Sequence, residues 1–365
     1  SSCAGGQRNA ESAFEPGSGV TSRAYAGMCG AEDLEANSDA TFHAGSIEER
    51  NAFVSGSGGC FSGSLTGNTA PTVDAGNDYT IPVQTPFQLT ASAMDPNGHT
   101  VSYQWDGMDT GTATISSTVG TDLGDNALFR SFLPRDTARR NFPALADQVN
   151  NISNIGETLP ATSRSLNFRI TARDGWYGVD EDDVRVTVES GAGPFRVTAP
   201  DGGETIAAHT GTVNASWNVA NTSASPISCT NVDIEMLTFN DAHTTYCATT
   251  IADNTANDGI EPGLTSWVAN NSNARLRIRC SDNIFYDISN GDINIVGGST
   301  EAPTDCVSVD GGVLAHGTVF VASDTSLNTG NGGGGGGSGL VSYWFLILVG
   351  PLLGARLTFI RPYSV

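Results

Sequence analysis

The stretch FRITARDGWYGVDEDDVRVTV, residues 168–188, decides the fold class because apolar and polar residues alternate in both of its halves. The alternating apolar positions are Phe168, Ile170 and Ala172, followed by Val184, Val186 and Val188. Successive side chains of a β-strand point to opposite faces, so a period of two indicates strands that bury one face. We therefore predict β-strands on both sides of the polar middle of this stretch.

The same period extends outward through residues 71–190, which we predict to be one β-sandwich. The other alternating positions are Phe87, Leu89 and Ala91, and then Val101, Tyr103 and Trp105. A Trp on a central strand commonly fills a sandwich core, and Trp105 is the candidate here. A long insertion, residues 120–163, interrupts the strands, and insertions of this length are typically functional or mobile. Its arginines are expected on a solvated face or in local ion pairs: Arg130, Arg135, Arg139 and Arg140.

Residues 191–297 repeat the alternation and predict a second β-sandwich, with Trp217 as its core candidate. The apolar positions are Val213, Ala215, Trp217 and Val219, then Val232, Ile234 and Met236, then Leu276, Ile278 and Cys280. In the last strand, Arg275, Arg277 and Arg279 point the other way. The predicted fold class is therefore mainly β, with two Ig-like β-sandwich domains.

Composition and charge agree with a β-rich chain and restrict its partners. The 365 residues include 44 Gly, and only 15% are charged, which suits β modules with many turns. There are 39 acidic and 17 basic residues, none of them Lys, which gives a net charge of −22. Such a chain repels nucleic acid, so no nucleic-acid partner is expected, and it offers carboxylates to calcium.

Seven cysteines are spread along the chain without any C-x-x-C pair: Cys3, Cys29, Cys60, Cys229, Cys247, Cys280 and Cys306. This spacing argues against a thiolate zinc site and favours disulfides formed in an oxidising compartment. The odd number leaves at least one cysteine unpaired. Connectivity stays open, although Cys229–Cys280 is the preferred pair because both residues flank the core of the second sandwich.

The first sandwich also resembles the PKD- or cadherin-like modules of bacterial surface proteins. The resemblance rests on residues 71–106, including the loop Asp95-Pro96-Asn97-Gly98-His99, and on residues 168–188. It suggests a calcium site at one end of the sandwich, completed by backbone and water oxygens because calcium takes six to eight. The candidate ligands are Asp95, Asn97, Asp174, Asp180, Asp182 and Asp183. The alternative is an acidic, solvated turn.

Residues 1–62 are irregular and Gly-rich, and a polar linker follows at residues 63–70. The spacing of Ser46 and Glu49 fits a capping box, which predicts a short helix over about residues 47–54.

The stretch EPGSGVTSRAYAGMCG, residues 15–30, resembles the end of a reprolysin-like metzincin catalytic domain. The matching positions are Glu15 to Gly19, Thr21, Tyr25 to Gly27, Cys29 and Gly30. The resemblance makes residues 1–62 the C-terminal remnant of such a domain. It implies zinc, peptide-bond hydrolysis by zinc-bound water, and a protein or peptide substrate. The region that resembles the Met-turn is formed by Arg23, Ala24, Tyr25, Ala26 and Gly27.

Two departures from the metzincin pattern concern the zinc site. The ligand motif H-E-x-x-H-x-x-G-x-x-H does not occur in this sequence, so we expect it upstream and expect this chain alone to be inactive. Arg23 stands where the family has the Met-turn methionine. Either Arg23 points to solvent and the turn differs, or the parent enzyme is impaired. We expect the isolated His43 to be a structural or surface residue.

The C-terminal part resembles a GlyGly-CTERM sorting signal. Residues 298–339 are predicted to be a Gly-rich linker that ends in GGGGGGSG, and residues 340–365 a hydrophobic sorting or transmembrane tail. The uncharged run at residues 340–355 precedes Arg356 and Arg361, which predicts a cytoplasmic end. The resemblance implies cleavage by a rhomboid-type sorting protease. It also implies transient inner-membrane anchoring in a Gram-negative bacterium, followed by secretion or surface display.

Two functions are compatible with these features. The first is the C-terminal portion of a secreted, surface-targeted zinc metalloendopeptidase. The alternative is a non-enzymatic surface or adhesion protein with calcium-supported Ig-like modules. The two differ in whether a zinc-binding helix precedes this sequence.

Overall fold

The computed structural model describes residues 3, 5–56, 67–208, 211–264, 269–298 and 306–312, all within one compact unit, Ser1–His316. The predicted sorting tail at residues 340–365 lies outside the described residues, and so does Cys60. Within the described ranges, no helix has the length and apolar character needed to cross a membrane.

The first sandwich is formed by strands β1 to β8. In chain order these strands are Thr72–Asp74, Tyr79–Pro82, Phe87–Thr90, Ser92–Met94, Ser102–Gly107, Arg139–Phe142, Arg164–Arg173 and Val179–Glu189. One sheet has the order β2-β8-β7-β5, with β2 and β8 parallel and the other neighbours antiparallel. Opposite this sheet, β3 pairs with β6, and β1 pairs with β4.

The decisive stretch forms the antiparallel pair β7–β8, as its period predicted. Phe168 lies opposite Val184, and both side chains are buried in the core. The ring of Phe168 lies 4.7 Å from that of Phe142 on β6, which stacks at 4.9 Å on Phe87 of β3. These rings join the two layers of the sandwich. The mainly β fold class is confirmed.

Strand β5 departs from the predicted alternation. Trp105 is buried as predicted, but its polar neighbours Ser102, Gln104 and Asp106 are also buried. The outer face of β5 is covered by residues from the N-terminal segment, which hydrogen-bond to Gln104 and Asp106. A strand covered on both sides does not need alternating apolar residues when its polar groups find partners.

The long insertion is part of the folded core rather than a separate mobile loop. It contributes strand β6, the segment around Phe129 and a helix at Leu145–Val149. Phe129 packs at 5.1 Å, edge to face, on Phe142. Arg130 and Arg140 are buried rather than solvated, and Arg140 pairs with the buried Glu157 at 2.7 Å. The expectation of a local ion pair therefore holds for Arg140, whereas Arg130 pairs with the distant Glu35 of the N-terminal segment. The expectation of a solvated face is wrong for both arginines.

The second sandwich is formed by strands β9 to β18. In chain order these strands are Arg196–Ala199, Thr205–Ala207, Val213–Asn218, Asn231–Phe239, Thr245–Ala256, Ile260–Leu264, Asn271–Cys280, Tyr286–Ile288, Ile293–Val296 and Cys306–Ser308. The larger sheet has the order β10-β17-β15-β12-β13-β18, with β16 also paired to β15, and the smaller sheet has the order β14-β11-β9. Trp217 on β11 is buried, as predicted.

Disulfides fix the second sandwich at two places. The preferred pair Cys229–Cys280 is confirmed. A second disulfide joins Cys247 on β13 to Cys306 on β18. The prediction of a linker over residues 298–339 is therefore wrong at Cys306–Ser308, which form a strand of the sheet. Three residues without apolar periodicity gave no signal for this strand, because a disulfide and an edge position hold it in place.

The two sandwiches share one hydrophobic core. Phe285, at the start of the second sandwich's β16 region, is fully buried and packs on Phe195 with ring centroids 5.4 Å apart. Phe285 also forms a β-bridge with Phe87 of the first sandwich. Backbone hydrogen bonds of 2.9 Å run across the junction from Tyr286 to Pro86 and from Gln88 to Ile284. The junction is therefore continuous core and not a flexible linker.

The N-terminal segment, residues 5–56, contains short 3-10 turns and one helix at its end. We label the helix Ala44–Gly56 α1 and the helix Leu145–Val149 of the insertion α2. The helix α1 was predicted, but it begins three residues earlier than expected, and the capping box does not form its start. The Ala44 N–H instead donates to Asp106 of β5 at 2.9 Å, and the Gly45 N–H donates to His43 Nδ1 at 3.1 Å.

Candidate functional site

A polar cavity of about 390 Å³ opens within the N-terminal segment. Its wall includes charged and hydrogen-bonding side chains from separate parts of the segment: Glu15, Arg23, Tyr25, His43 and Glu49. The stretch that resembles the end of a metzincin domain, residues 15–30, provides much of this wall. The cavity therefore lies beside the region that resembles the Met-turn, in which no catalytic residue was predicted.

The loop at residues 15–21 is closed by its own glutamate. Glu15 Oε1 accepts the Val20 N–H at 2.9 Å, and Oε2 accepts the Thr21 hydroxyl at 2.6 Å. Gly19 has φ of +67°, and a Cβ there would lie 2.9 Å from Glu15 Oε2. A side chain would both strain this backbone and collide with the carboxylate. The E-P-G-S-G pattern is thus explained by loop geometry, and Glu15 is engaged in holding the loop.

The region resembling a Met-turn, residues 23–27, forms a tight turn on the cavity wall. Tyr25 donates its N–H to Ser18 O at 2.9 Å, and Gly27 has φ of +76° with Ala36 O where a Cβ would stand. Arg23 is 59% exposed at its side chain and lies 2.7 Å from Glu49 on α1. Of the two alternatives for Arg23, the structure shows the side chain turned to solvent and paired.

His43 has a structural role at the start of α1. Its Nδ1 accepts the Gly45 N–H, its Nε2 lies 3.1 Å from Gly107 O, and its ring stacks on Phe14 at 5.0 Å. Both ring nitrogens therefore have partners, with Nδ1 as the acceptor and Nε2 as the donor. This arrangement leaves no nitrogen of His43 for a metal, so the described residues of the cavity do not fit a catalytic zinc.

Buried polar contacts attach the N-terminal segment to the first sandwich. The Thr41 hydroxyl bonds Gln104 Oε1 at 2.7 Å, and Gln104 Nε2 donates to Phe42 O at 3.1 Å. Arg169 of β7 pairs with Glu48 of α1 at 2.8 Å. Several directional bonds from two strands fix the orientation of the segment more tightly than apolar contact alone.

The six predicted calcium ligands are not brought together as one set. Asp180 and Asp182 accept the backbone N–H groups of Val73 and Ala75, each at 2.8 Å. Asp183 pairs with Arg169 at 2.6 Å. These three carboxylates hold β1 and β7 beside β8, so hydrogen bonding explains much of the acidic run.

Of the other three predicted ligands, Asp95 and Asp174 lie close together at one end of the first sandwich, and Asn97 belongs to the same loop as Asp95. Asp95 Oδ1 accepts the Asn97 N–H at 2.9 Å and the His99 N–H at 2.8 Å, which closes the loop between β4 and β5. Asn97 Oδ1 accepts the Thr69 N–H at 2.9 Å. Asp174 lies in the turn between β7 and β8, close to Asp95 and His99. The structure therefore adds His99, which the sequence analysis named only as part of the loop at residues 95–99.

An exposed aromatic tip lies beside this group. Trp176 and Tyr177 in the β7–β8 turn are 59% and 65% exposed, and Trp176 stacks on His99 at 5.2 Å. Tyr177 has φ of +74°, a left-handed conformation that is costly for an aromatic residue. The sequence signal for this tip was present, since two large aromatics stand in an otherwise polar turn.

Comparisons with known proteins give no family. No protein-family model matches the sequence, and a search of curated proteins finds no match. Among solved structures, the Ig1-2 module of the Drosophila receptor tyrosine phosphatase DLAR is similar over 62% of this chain and 99% of its own, with 11% identity and a TM-score of 0.32.

Two further solved structures are similar over about half of their own length. The match to Drosophila N-cadherin EC1-4 covers 62% of this chain and 50% of the cadherin chain, at 11% identity and a TM-score of 0.19. The second structure is the Bacteroides ovatus protein SGBP-B in complex with a mixed-linkage heptasaccharide. This match covers 63% of this chain and 48% of the SGBP-B chain, at 10% identity and a TM-score of 0.17. At these values we draw no conclusion about function from them.

Proposed function

We propose that this chain is the C-terminal portion of a secreted, surface-targeted zinc metalloendopeptidase, in which residues 5–56 complete the catalytic domain. The observation that carries the proposal is the charged cavity walled by residues 15–30. Among the described residues, the hydrophobic core clusters begin only at Ala75, so the segment around the cavity has a fixed backbone without an apolar core of its own. Such a segment is typical of part of a larger domain.

In this proposal the two sandwiches carry the catalytic domain in a fixed orientation. The buried bonds of Thr41 and Ala44 to β5, together with the shared core of the sandwiches, support a rigid connection. The zinc ligands would come from residues upstream, and this chain alone would be inactive. The substrate would be a protein or peptide.

The proposal extends to targeting. The hydrophobic tail at residues 340–365 would anchor the protein in the inner membrane until a rhomboid-type sorting protease cleaves it. The product would be secreted or displayed on the surface of a Gram-negative bacterium. The disulfides, which form in oxidising compartments, support an extracytoplasmic location.

The test begins with the DNA directly upstream of the Ser1 codon. We expect the reading frame to contain H-E-x-x-H-x-x-G-x-x-H, and the longer protein to cleave a fluorogenic protein substrate. Replacing the Glu of that motif by Gln should abolish cleavage, and the present chain should show none. A start codon and signal peptide directly before Ser1 would contradict the proposal.

A non-enzymatic surface or adhesion protein is the second candidate. The exposed Trp176 and Tyr177 favour it, because exposed aromatics at the end of a rigid module are suited to binding a partner. If no zinc helix precedes this sequence, adhesion of the purified chain to cells or polymers becomes the activity to measure. Trp176→Ala should then reduce it.

A further inference from the structure

Three side chains that can bind a metal converge at the end of the first sandwich that carries the aromatic tip. Asp95 and His99 belong to the loop between β4 and β5, and Asp174 belongs to the turn between β7 and β8. Each offers one ligand atom, and these atoms all lie within 4.8 Å of one another. Two separate loops therefore supply a nitrogen and two carboxylate oxygens to one place.

Buried polar atoms without partners point to a ligand at this place. The Asp95 side chain is only 2% exposed, and its Oδ2 has no hydrogen-bond partner among the described residues. The same holds for the buried Nδ1 of His99, which lies 3.5 Å from Asp95 Oδ1. A buried acceptor without a partner is costly, and a cation would satisfy both atoms together.

Asp174 is held in position by donors from its own turn and from the chain before β1. Its Oδ1 accepts the N–H groups of Trp176 at 2.6 Å and Gly178 at 2.9 Å, and its Oδ2 accepts Asn68 Nδ2 at 2.6 Å. These donors fix the orientation of the carboxylate before any ion binds.

We propose that Asp95, His99 and Asp174 form a site for a transition-metal dication, with Zn²⁺ the best fit. Imidazole suits Zn²⁺, whereas Ca²⁺ prefers six to eight oxygen ligands. Zn²⁺ with bonds of about 2.0–2.1 Å brings tetrahedral ligands to about 3.3 Å from one another, so the side chains must close in by about 1.5 Å at most. Water would complete the coordination.

A metal here would join the β4–β5 loop to the β7–β8 turn and fix the aromatic tip. Because Trp176 stacks on His99, a metal-bound imidazole would restrict the indole as well. This site is separate from the proposed catalytic zinc, whose ligand motif this chain lacks. Binding to the present chain therefore tests the site whether or not the parent protein is a peptidase.

The experiment is a Zn²⁺ titration of the EDTA-treated chain, in competition with a chromogenic chelator. We expect one equivalent to bind, and His99→Gln and Asp95→Asn each to weaken binding at least tenfold. His243→Gln is the matched control, because His243 pairs with Asp292 at 3.4 Å but belongs to no group of potential metal ligands among the described residues, and it should leave binding unchanged. Co²⁺ should give visible absorption bands that His99→Gln alters.

Melting temperatures measured in EDTA show whether the variants fold. If His99→Gln does not fold, Asp95→Asn tests the proposal, because it keeps an oxygen that can accept the N–H groups closing the loop. Unchanged Zn²⁺ affinity in both variants would overturn the proposal. So would stabilisation of the wild-type chain by millimolar Ca²⁺ with no response to Zn²⁺.

Discussion

Trp105 and Trp217 fill the cores of the two sandwiches, and each indole N–H has an acceptor. Trp105 Nε1 donates to Ala138 O at 2.9 Å, and Trp217 Nε1 donates to Asn257 Oδ1 at 2.8 Å. Trp105→Ala should lower the free energy of unfolding by about 3–5 kcal/mol, as large core truncations do. Urea denaturation measures this loss, and the exposed Trp176→Ala should cost less than about 1 kcal/mol. Similar losses for both would mean that Trp105 is not a core residue.

Asp287 is the residue at which we expect stability to depend on pH. Burial raises its pKa to about 7, although the Val197 N–H bonds Oδ2 at 2.7 Å and Arg196 lies near. The unfolded carboxyl has a pKa of about 3.9, so the folded state alone keeps the proton at intermediate pH. The contribution of the protonated Asp287 to the free energy of unfolding is therefore fully present below pH 4 and is lost as pH rises through about 7.

Between pH 5 and pH 8, the free energy of unfolding of the wild-type protein should fall by on the order of 2 kcal/mol because of Asp287. Asp287→Asn should remove this decrease. Urea denaturation at both pH values measures the difference. The carboxamide keeps an oxygen that can accept the Val197 N–H. An identical pH dependence in variant and wild type would contradict the assignment.

At the scale of the element, β7 and β8 were predictable because one of their faces is apolar and their residues alternate. Strand β5 was predictable only in part, since covering by the N-terminal segment makes polar positions such as Gln104 as buried as Trp105. Strand β18 pairs with β13, and Asp95 and His99 lie close to Asp174. Both arrangements depend on contacts between residues far apart in sequence. Local periodicity carries no information about such contacts.

The attachment of α1 to β5 yields a prediction about one element. Asp106 is fully buried and accepts the Ala44 N–H at 2.9 Å. Asp106→Ala should leave that donor unpaired and favour local opening of residues 41–56 by about 1–3 kcal/mol. Hydrogen exchange should become faster in α1 but not in β7 and β8. Asp78→Ala, which removes an exposed partner of Arg185 on β8, is the control and should leave exchange in α1 unchanged.

At the scale of the whole molecule, the shared core predicts that both sandwiches unfold together. Phe285→Ala should destabilise the entire unit by about 3–5 kcal/mol, because its ring contacts the core at the junction. Calorimetry should show one transition for wild type and variant, with equal calorimetric and van't Hoff enthalpies. Two separated transitions would show that the sandwiches are independent.

The sequence analysis placed the boundary between the two sandwiches at residues 190 and 191, but the alternating pattern did not predict that they share a core. The alternating patterns describe each strand separately. The contacts that join the modules come from Phe87 and Phe285, which look like ordinary core residues of their own sandwiches. Rigid connection is therefore a property of the tertiary structure.

The parallel pairing of β2 with β8 has a mechanical consequence. Tyr79 lies beside Val186 and Ile81 beside Val188, so the first and last strands of the four-stranded sheet run side by side in the same direction. A pulling force applied before β2 and after β8 would load their hydrogen bonds in shear. Such bonds must break together instead of opening one after another, and a module displayed under flow would resist extension at this pair of strands.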